Sequence, residues 1–218
     1  MLLAFDTATP LVSVALHDGE SGDALHRPVV ELVADRPMKH AEQLAPLIDR
    51  AMSDAGLVRQ DLTAVGVGVG PGPFTGLRVG LVTARTLGHV LDIPVYGVCS
   101  LDVLAVQAVD TGEVAEPFAV ATDARRKEVY LARYDADGVR LDGPVVGKPA
   151  ALATHGPVVG QGALLYPEAF PLRVGPEAPS AGWLARTIAG ERAELLDPEP
   201  LYLRRPDADS AHPPQPVS

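Results

Sequence analysis

Cysteine is nearly absent. Cys99 stands alone, so no intrachain disulfide can form, and the composition suits a reducing compartment. A lone thiol raises the idea of a nucleophile, but Cys99 follows the apolar run Val95-Tyr96-Gly97-Val98, where cysteine behaves as a small buried hydrophobe. Long apolar runs are missing as well: no stretch nears the roughly 18 residues that a membrane crossing needs. The opening Met1-Leu2-Leu3-Ala4-Phe5-Asp6 has no basic n-region and runs straight into an acidic turn. A secretory leader is therefore not expected, and the cytoplasm is the expected compartment. Positive charge is scarce: 18 Lys and Arg face 28 Asp and Glu, for a formal net charge of -10. So acidic a chain has no general attraction to a phosphate backbone, and contact with nucleic acid is expected to be indirect. A local basic cluster does stand at Arg125, Arg126 and Lys127.

Several catalytic signatures are missing too. No lysine follows the glycines as GxxxxGK[ST] requires, so the Gly70–Gly76 loop is not a P-loop. There is no HExxH, and the six histidines (17, 26, 40, 89, 155 and 212) include no pair at i,i+4 that would bind a metal. No GxSxG elbow exists.

What is present is an alternation of strands and helices. The 218 residues, 47% of them hydrophobic, can bury a real core. Residues 2–5 and 12–16 read as strands around the turn Asp6-Thr7-Ala8-Thr9-Pro10, and residues 25–32 as a third strand, at an edge or bulge because of Pro28. Residues 38–55 have helical periodicity, with Pro46 placing the start near Gln43 or bending the helix. A Val/Gly strand at 65–69 empties into Gly70-Pro71-Gly72-Pro73-Phe74-Thr75-Gly76, and Thr75 is placed to cap a helix running to about 91. That helix carries Gly76, Gly80, Ala84 and Gly88 at a spacing of four. Glycine inside a helix costs roughly 1 kcal/mol relative to alanine, so the stripe needs a packing reason: this protein's own sheet, or a partner helix. Further on, a strand (93–98), a helix (100–109), two strands (118–122 and 128–134), a short strand (158–160) and a helix (181–189) follow. Residues 206–218 hold four prolines and are expected to be a disordered tail.

The chain starts twice. Shifted by 117 residues, Asp6 falls on Asp123, Val12 on Val129, Val14 on Leu131, Ala15 on Ala132 and Asp18 on Asp135. Both stretches read as strand, acidic turn, strand. Two related α/β halves, 1–110 and 111–205, each opening in this way, follow the plan of the actin, hexokinase and Hsp70 fold (the ASKHA fold), whose two turns grip the phosphates of ATP across a cleft. Glycine lets such turns approach phosphate. Here the first turn keeps Asp6, Thr7 and Thr9, whereas the second, Asp123-Ala124-Arg125-Arg126-Lys127, has no glycine. The four residues Asp6, Thr7, Thr9 and Asp123 read as a vestigial phosphate site, with no catalytic residue assigned.

The run Gly70-Pro71-Gly72-Pro73-Phe74-Thr75-Gly76-Leu77-Arg78-Val79-Gly80 resembles the GPGxFTGLR[VI]G signature of the TsaB family. Around it stand Asp6-Thr7-Ala8-Thr9, His40-Ala41-Glu42-Gln43-Leu44, Gly97-Val98-Cys99-Ser100-Leu101, Asp123-Ala124-Arg125 with Glu128-Val129-Tyr130, and Pro200-Leu201-Tyr202-Leu203-Arg204, all in the family's order. The match is good over residues 1 to about 134. The resemblance implies an actin-like protein without an activity of its own. Its partner would be TsaD, a related subunit that transfers threonylcarbamoyl to the adenosine beside the tRNA anticodon, joined by the ATPase TsaE. TsaD holds a metal with two histidines four apart after a Gly-Val pair; Ser100 and Leu104 stand in those places here, which implies no metal. No intrinsic cofactor is implied, though a nucleotide at the subunit junction is compatible. The resemblance also implies pairing with TsaD, or with a second copy, through the first two long helices. The interface candidates are His40, Leu44, Leu47, Ile48, Thr75, Gly76, Leu77, Gly80, Leu81, Ala84 and Gly88. The competing readings are a kinase-like enzyme using Asp6 and Asp123, and a metallopeptidase, which the missing histidine pair disfavours.

Overall fold

The computed structural model describes residues 1–18, 29–37 and 39–204. The first sheet is formed by β1 (Leu2–Asp6), β2 (Ser13–His17), β3 (Val30–Val33), β4 (Ala64–Gly70) and β5 (Val95–Cys99), in the order β3-β2-β1-β4-β5. The second is formed by β6 (Phe118–Asp123), β7 (Val129–Tyr134), β8 (Arg140–Gly147) and β9 (Val158–Val159), in the order β8-β7-β6-β9. In each sheet the first two strand pairs are antiparallel and the next crossover returns parallel to the opening strand. Among the described residues, the second sheet thus repeats the first without its last strand. This is the two-half α/β architecture of the actin, hexokinase and Hsp70 plan.

The strand pairing corrects one detail of the internal repeat. Asp6 pairs with Ser13, while Asp123 pairs with Val129. The second turn is therefore one residue shorter, and the ungapped matches beyond it, Val14 with Leu131 and Ala15 with Ala132, fall one residue out of structural register. Residues 19–28, part of the expected third strand, and the expected tail 206–218 lie outside the described residues.

The helices are α1 (His40–Asp54), α2 (Phe74–Leu91), α3 (Ser100–Asp110), α4 (Pro149–Leu152), α5 (Gln161–Leu165) and α6 (Ala181–Ala189). Period-two alternation sends Leu3, Phe5, Val65, Val67 and Val69 to one face of the first sheet, where α1 and α2 contribute Leu44, Leu77, Leu81 and Ala84. Leu2 and Ala4 point to the other face, against Val103 of α3 and Leu184, Ala185 and Ile188 of α6. The Val-Gly alternation of β4 follows from these unequal neighbours. A Cβ at Gly66 would lie 2.4 Å from Ile188 Cδ1, and one at Gly68 would lie 1.9 Å from Asp6 Oδ2. The valines fill the α1/α2 side; the glycines let α6 and a carboxylate come close.

Helix α3 is buried between the sheets. Its Leu101, Leu104, Ala105 and Ala108 pack on Phe118, Val120, Ala132 and Tyr134 of the second sheet. Asp102 is 4% exposed. It accepts a hydrogen bond from Tyr134 Oη at 2.7 Å, with Arg140 Nη1 3.7 Å away. Burial raises its pKa, against the lowering effect of those two partners. Arg140 also reaches Glu194 at 3.3 Å, which ties α3, the second sheet and the C-terminal segment together.

The division of the sequence at residue 110 places α6 in the second half, but α6 packs on the first sheet. The segment after it continues there: Leu196 and Gly97 exchange backbone hydrogen bonds of 2.8 Å, and Leu201 N–H donates to Val69 O. The faces of the second sheet are taken by α3 and by Ala163, Ala169 and Phe170.

Candidate functional site

The two turns face each other across a cleft of about 500 Å³, walled by Ala8, Pro10, Leu11, Pro71, Pro73, Leu101 and Pro179 with Thr9, Ser100, Thr122 and Asp123 among them. The walls are mainly apolar. The four residues of the vestigial phosphate site do not converge on it.

Asp6 is 1% exposed. Its Oδ1 accepts from Ala8 N–H at 2.6 Å and its Oδ2 from Ser100 Oγ at 2.7 Å. Burial pushes its pKa up, although Ser100, Ala8 and His40 all act to lower it. The carboxylate is held inward against Gly68 rather than out into the cleft. Thr7 is fully buried and turned under α2: a Cβ at Gly80 would come within 2.4 Å of its Oγ1, and one at Gly76 within 2.5 Å of its carbonyl oxygen. Among the described residues its hydroxyl has no hydrogen-bond partner. Thr9 does line the cleft, with its hydroxyl donating to Leu11 O at 2.9 Å. Asp123 also lines it, but is engaged locally, accepting from Arg125 N–H at 2.9 Å and lying 3.8 Å from Arg125 Nε.

The second turn is closed by Glu128 N–H to Arg125 O and Ala124 N–H to Glu128 O. Arg125, Arg126 and Lys127 adopt φ of 61°, 54° and 59°. Three consecutive left-handed residues without a glycine cost on the order of 1 kcal/mol each. The turn gives up the compact, glycine-lined approach to phosphate and presents long cationic side chains instead. At the two positions where a histidine pair was sought, Ser100 is committed to Asp6 and Leu104 is fully buried. Among the described residues no group of three His, Cys, Asp or Glu could hold a metal.

The interface candidates also divide. His40 is 5% exposed, and its Nε2 hydrogen-bonds to Thr9 O at 2.7 Å; it pins the first turn rather than meeting solvent. Leu44, Gly76, Leu77, Gly80, Leu81, Ala84 and Gly88 are buried within the first half. This corrects their assignment as partner-facing residues. The glycine stripe packs on the chain's own sheet and turn, Gly76 and Gly80 against Thr7 and Gly88 against Val95. Thr75 is exposed, and Leu47 and Ile48 are half-buried. Thr75 does not cap α2; the N-cap is Pro73, with no side-chain hydrogen bond. The outward face of α2 carries Val82 and Val90, 61% and 70% exposed. Their spacing from Thr75 and Val79 on a 100° helical wheel was a signal that the glycine stripe overshadowed.

Sequence reasoning also missed the role of the motif ends. Phe74 stacks on Tyr202 at 5.1 Å between centroids, Arg78 lies 3.8 Å over the Phe74 ring, and Arg78 Nε donates to Tyr202 Oη at 3.2 Å. Arg204 donates to Ala124 O and pairs with Glu128. Three motifs far apart in sequence therefore meet at one place.

Known proteins place this arrangement. The model of the TsaD family, tRNA N6-adenosine threonylcarbamoyltransferase, matches residues 33–171. An uncharacterized protein of Mycobacterium tuberculosis is 45% identical over 212 residues, 95% of this chain and 93% of its own length. The tRNA threonylcarbamoyladenosine biosynthesis protein TsaB of Escherichia coli is 35% identical over 62% of this chain and 55% of its own length. The structure of YeaZ from Pseudomonas aeruginosa aligns with a TM-score of 0.72 and 30% identity, covering 93% of this chain and 99% of that one. With its fold, its motifs and these relatives in agreement, the chain belongs to the TsaB (YeaZ-type) family.

Proposed function

We propose that this chain is a non-catalytic subunit of the tRNA threonylcarbamoyladenosine machinery: it docks a TsaD-type transferase through the outer face of α1 and α2 and supports transfer to the adenosine beside the anticodon. The observation that carries this reading is the sealing of Asp6. A carboxyl buried behind Ser100 and Gly68, with a raised pKa, is badly placed to hold a metal–phosphate group. With the glycine-free second turn opposite, the cleft has lost both grips on ATP. What the first half still presents is an apolar helical surface, where Val82 and Val90 stand clear beside the half-buried Leu47, Ile48 and Val79. A surface of this kind favours helix-on-helix packing with a related subunit, or with a second copy when the partner is absent.

In this reading TsaE joins the assembly in the cytoplasm, tRNA is modified by the partner, and a nucleotide at the subunit junction belongs to the complex rather than to this chain. The test is coexpression with the cognate transferase and measurement of modified tRNA with and without this protein. Modification that is unaffected by its removal would sink the proposal. Calorimetric titration with ATP and Mg²⁺ separates it from the kinase-like alternative: tight binding and turnover by the chain alone would favour the enzyme.

A further inference from the structure

The cleft between the two turns has lost its grips on phosphate, yet it stays open, and its walls are rich in one residue type. Pro10, Pro37, Pro71, Pro73 and Pro179 all line it. So do Leu101 and Leu11, the latter 39% exposed. An adjoining pocket of about 220 Å³ shares Pro73, Asp123 and Arg125 with the cleft and carries the rings of Phe74, Tyr130 and Tyr202. Aromatic rings that lead into an apolar groove suit an extended, proline-rich segment, whose polyproline II form is already stiff and loses little entropy on docking.

We propose that the cleft takes the chain's own segment beyond Arg204, with Pro213-Pro214-Gln215-Pro216-Val217 laid between the two turns. Residues 205–218 lie outside the described residues, and the argument rests on their sequence and their point of departure. They contain Pro206, Pro213, Pro214 and Pro216. The chain reaches them through Leu201, Tyr202, Leu203 and Arg204, which line the adjoining pocket. Arg204 donates to Ala124 O, and Ala124 stands in sequence between Asp123 and Arg125 of the cleft wall. The segment therefore starts at the rim. Residues 205–212 can span up to about 29 Å when extended, which is ample for a turn back into the cavity. Pro213 to Pro216 then cover about 12 Å as polyproline II. Tethering favours this occupant over a free ligand. It sets an effective concentration on the order of 1 mM, so a contact too weak to matter between molecules still fills the cleft within one. The inference does not depend on the partner proposed above, and it replaces the expectation of a disordered tail drawn from composition.

The test is disulfide trapping in the full chain. Ala178→Cys puts a thiol on the cleft wall at an exposed residue, and Gln215→Cys puts one in the proline run. Thr75→Cys with Gln215→Cys is the control pair. Thr75 is exposed and follows Phe74, which stacks on Tyr202, so it lies close to the point of departure but does not line the cleft. The native Cys99 is fully buried, and burial pushes its thiol up to about 12, which keeps it out of exchange. Under mild oxidation at low protein concentration, the Ala178/Gln215 pair is expected to close at least about tenfold faster than the control pair. The product is a cross-linked monomer that migrates faster on a non-reducing gel. Adding Pro213→Ser, Pro214→Ser and Pro216→Ser to the first pair keeps the tether and removes the docking residues; its rate is expected to fall to that of the control. Equal rates for the two cysteine pairs, or a rate that the serine substitutions leave unchanged, would overturn the proposal. So would a disulfide-linked dimer as the main product, which would give the cleft to the segment of a second copy.

Discussion

Asp6 occupies a position where charge is expensive. Its pKa is raised by burial, so the folded state holds this proton more tightly than the unfolded state does. Its contribution to stability is fully present below the unfolded pKa and is lost as pH rises through the folded one. Asp6→Asn keeps an acceptor for Ala8 N–H and removes the charge. It is expected to stabilise the protein by on the order of 1 kcal/mol at neutral pH, with the gain shrinking toward pH 4. Thermal melts of both proteins across that range check it, and a variant that melts lower at pH 7.5 would contradict it. The left-handed turn offers a second test at this scale. Lys127→Gly should relieve backbone strain at φ 59° and raise stability by about 0.5–1 kcal/mol, read from the urea midpoint. Gly68→Ala should do the opposite, costing about 3 kcal/mol or more, since its methyl would overlap the Asp6 carboxylate.

At the scale of elements, α2 divides sharply into two faces. Gly80→Arg and Leu81→Asp look like interface variants when the helix is seen only as sequence, but Gly80 abuts Thr7 and Leu81 is 3% exposed, so both are expected to unfold the chain. Val82→Asp is the proper probe. It should leave the melting temperature within about 2 °C of wild type while abolishing copurification with the transferase; retained copurification would move the interface off this helix. The four longer helices and most strands were legible from their periodicity: α6 is expected and found at Ala181–Ala189, and α2 differs only at its start; α4 and α5, of four and five residues, are too short to show a helical period. Helix α1 falls within the 38–55 periodicity: of the two readings that Pro46 left open, the start near Gln43 is not found, since the helix begins at His40 and carries the proline within it, where the exposed side of the helix tolerates the lost hydrogen bond. Strand β8, with Gly143 and Pro144 and no fully buried side chain, has no alternation to read. The candidate site was legible as a pair of turns and a set of motifs. Its geometry was not, because whether Thr7 faces a cleft or a helix depends on Gly76 and Gly80, more than 60 residues away in the chain.

At the scale of the whole molecule, the two sheets are fastened by shared parts. Helix α3 gives side chains to both cores, and α6 and the following segment cross back from the second half to the first. Heat should therefore unfold the protein in one calorimetric transition; two resolved peaks would mean that the halves are independent. A fragment of residues 1–117 should remain largely unfolded by circular dichroism, because Leu2, Ala4 and Gly66 would lack the helix that covers them.

That return crossing sets an order of events at the ribosome. The strands of the first sheet leave the exit tunnel early, the last of them ending at Cys99. The face that takes α6 stays bare until the whole second sheet has been translated, since that helix opens only at Ala181. The nascent chain thus exposes a sticky surface throughout production of its second half, which makes it a natural client for cotranslational chaperones.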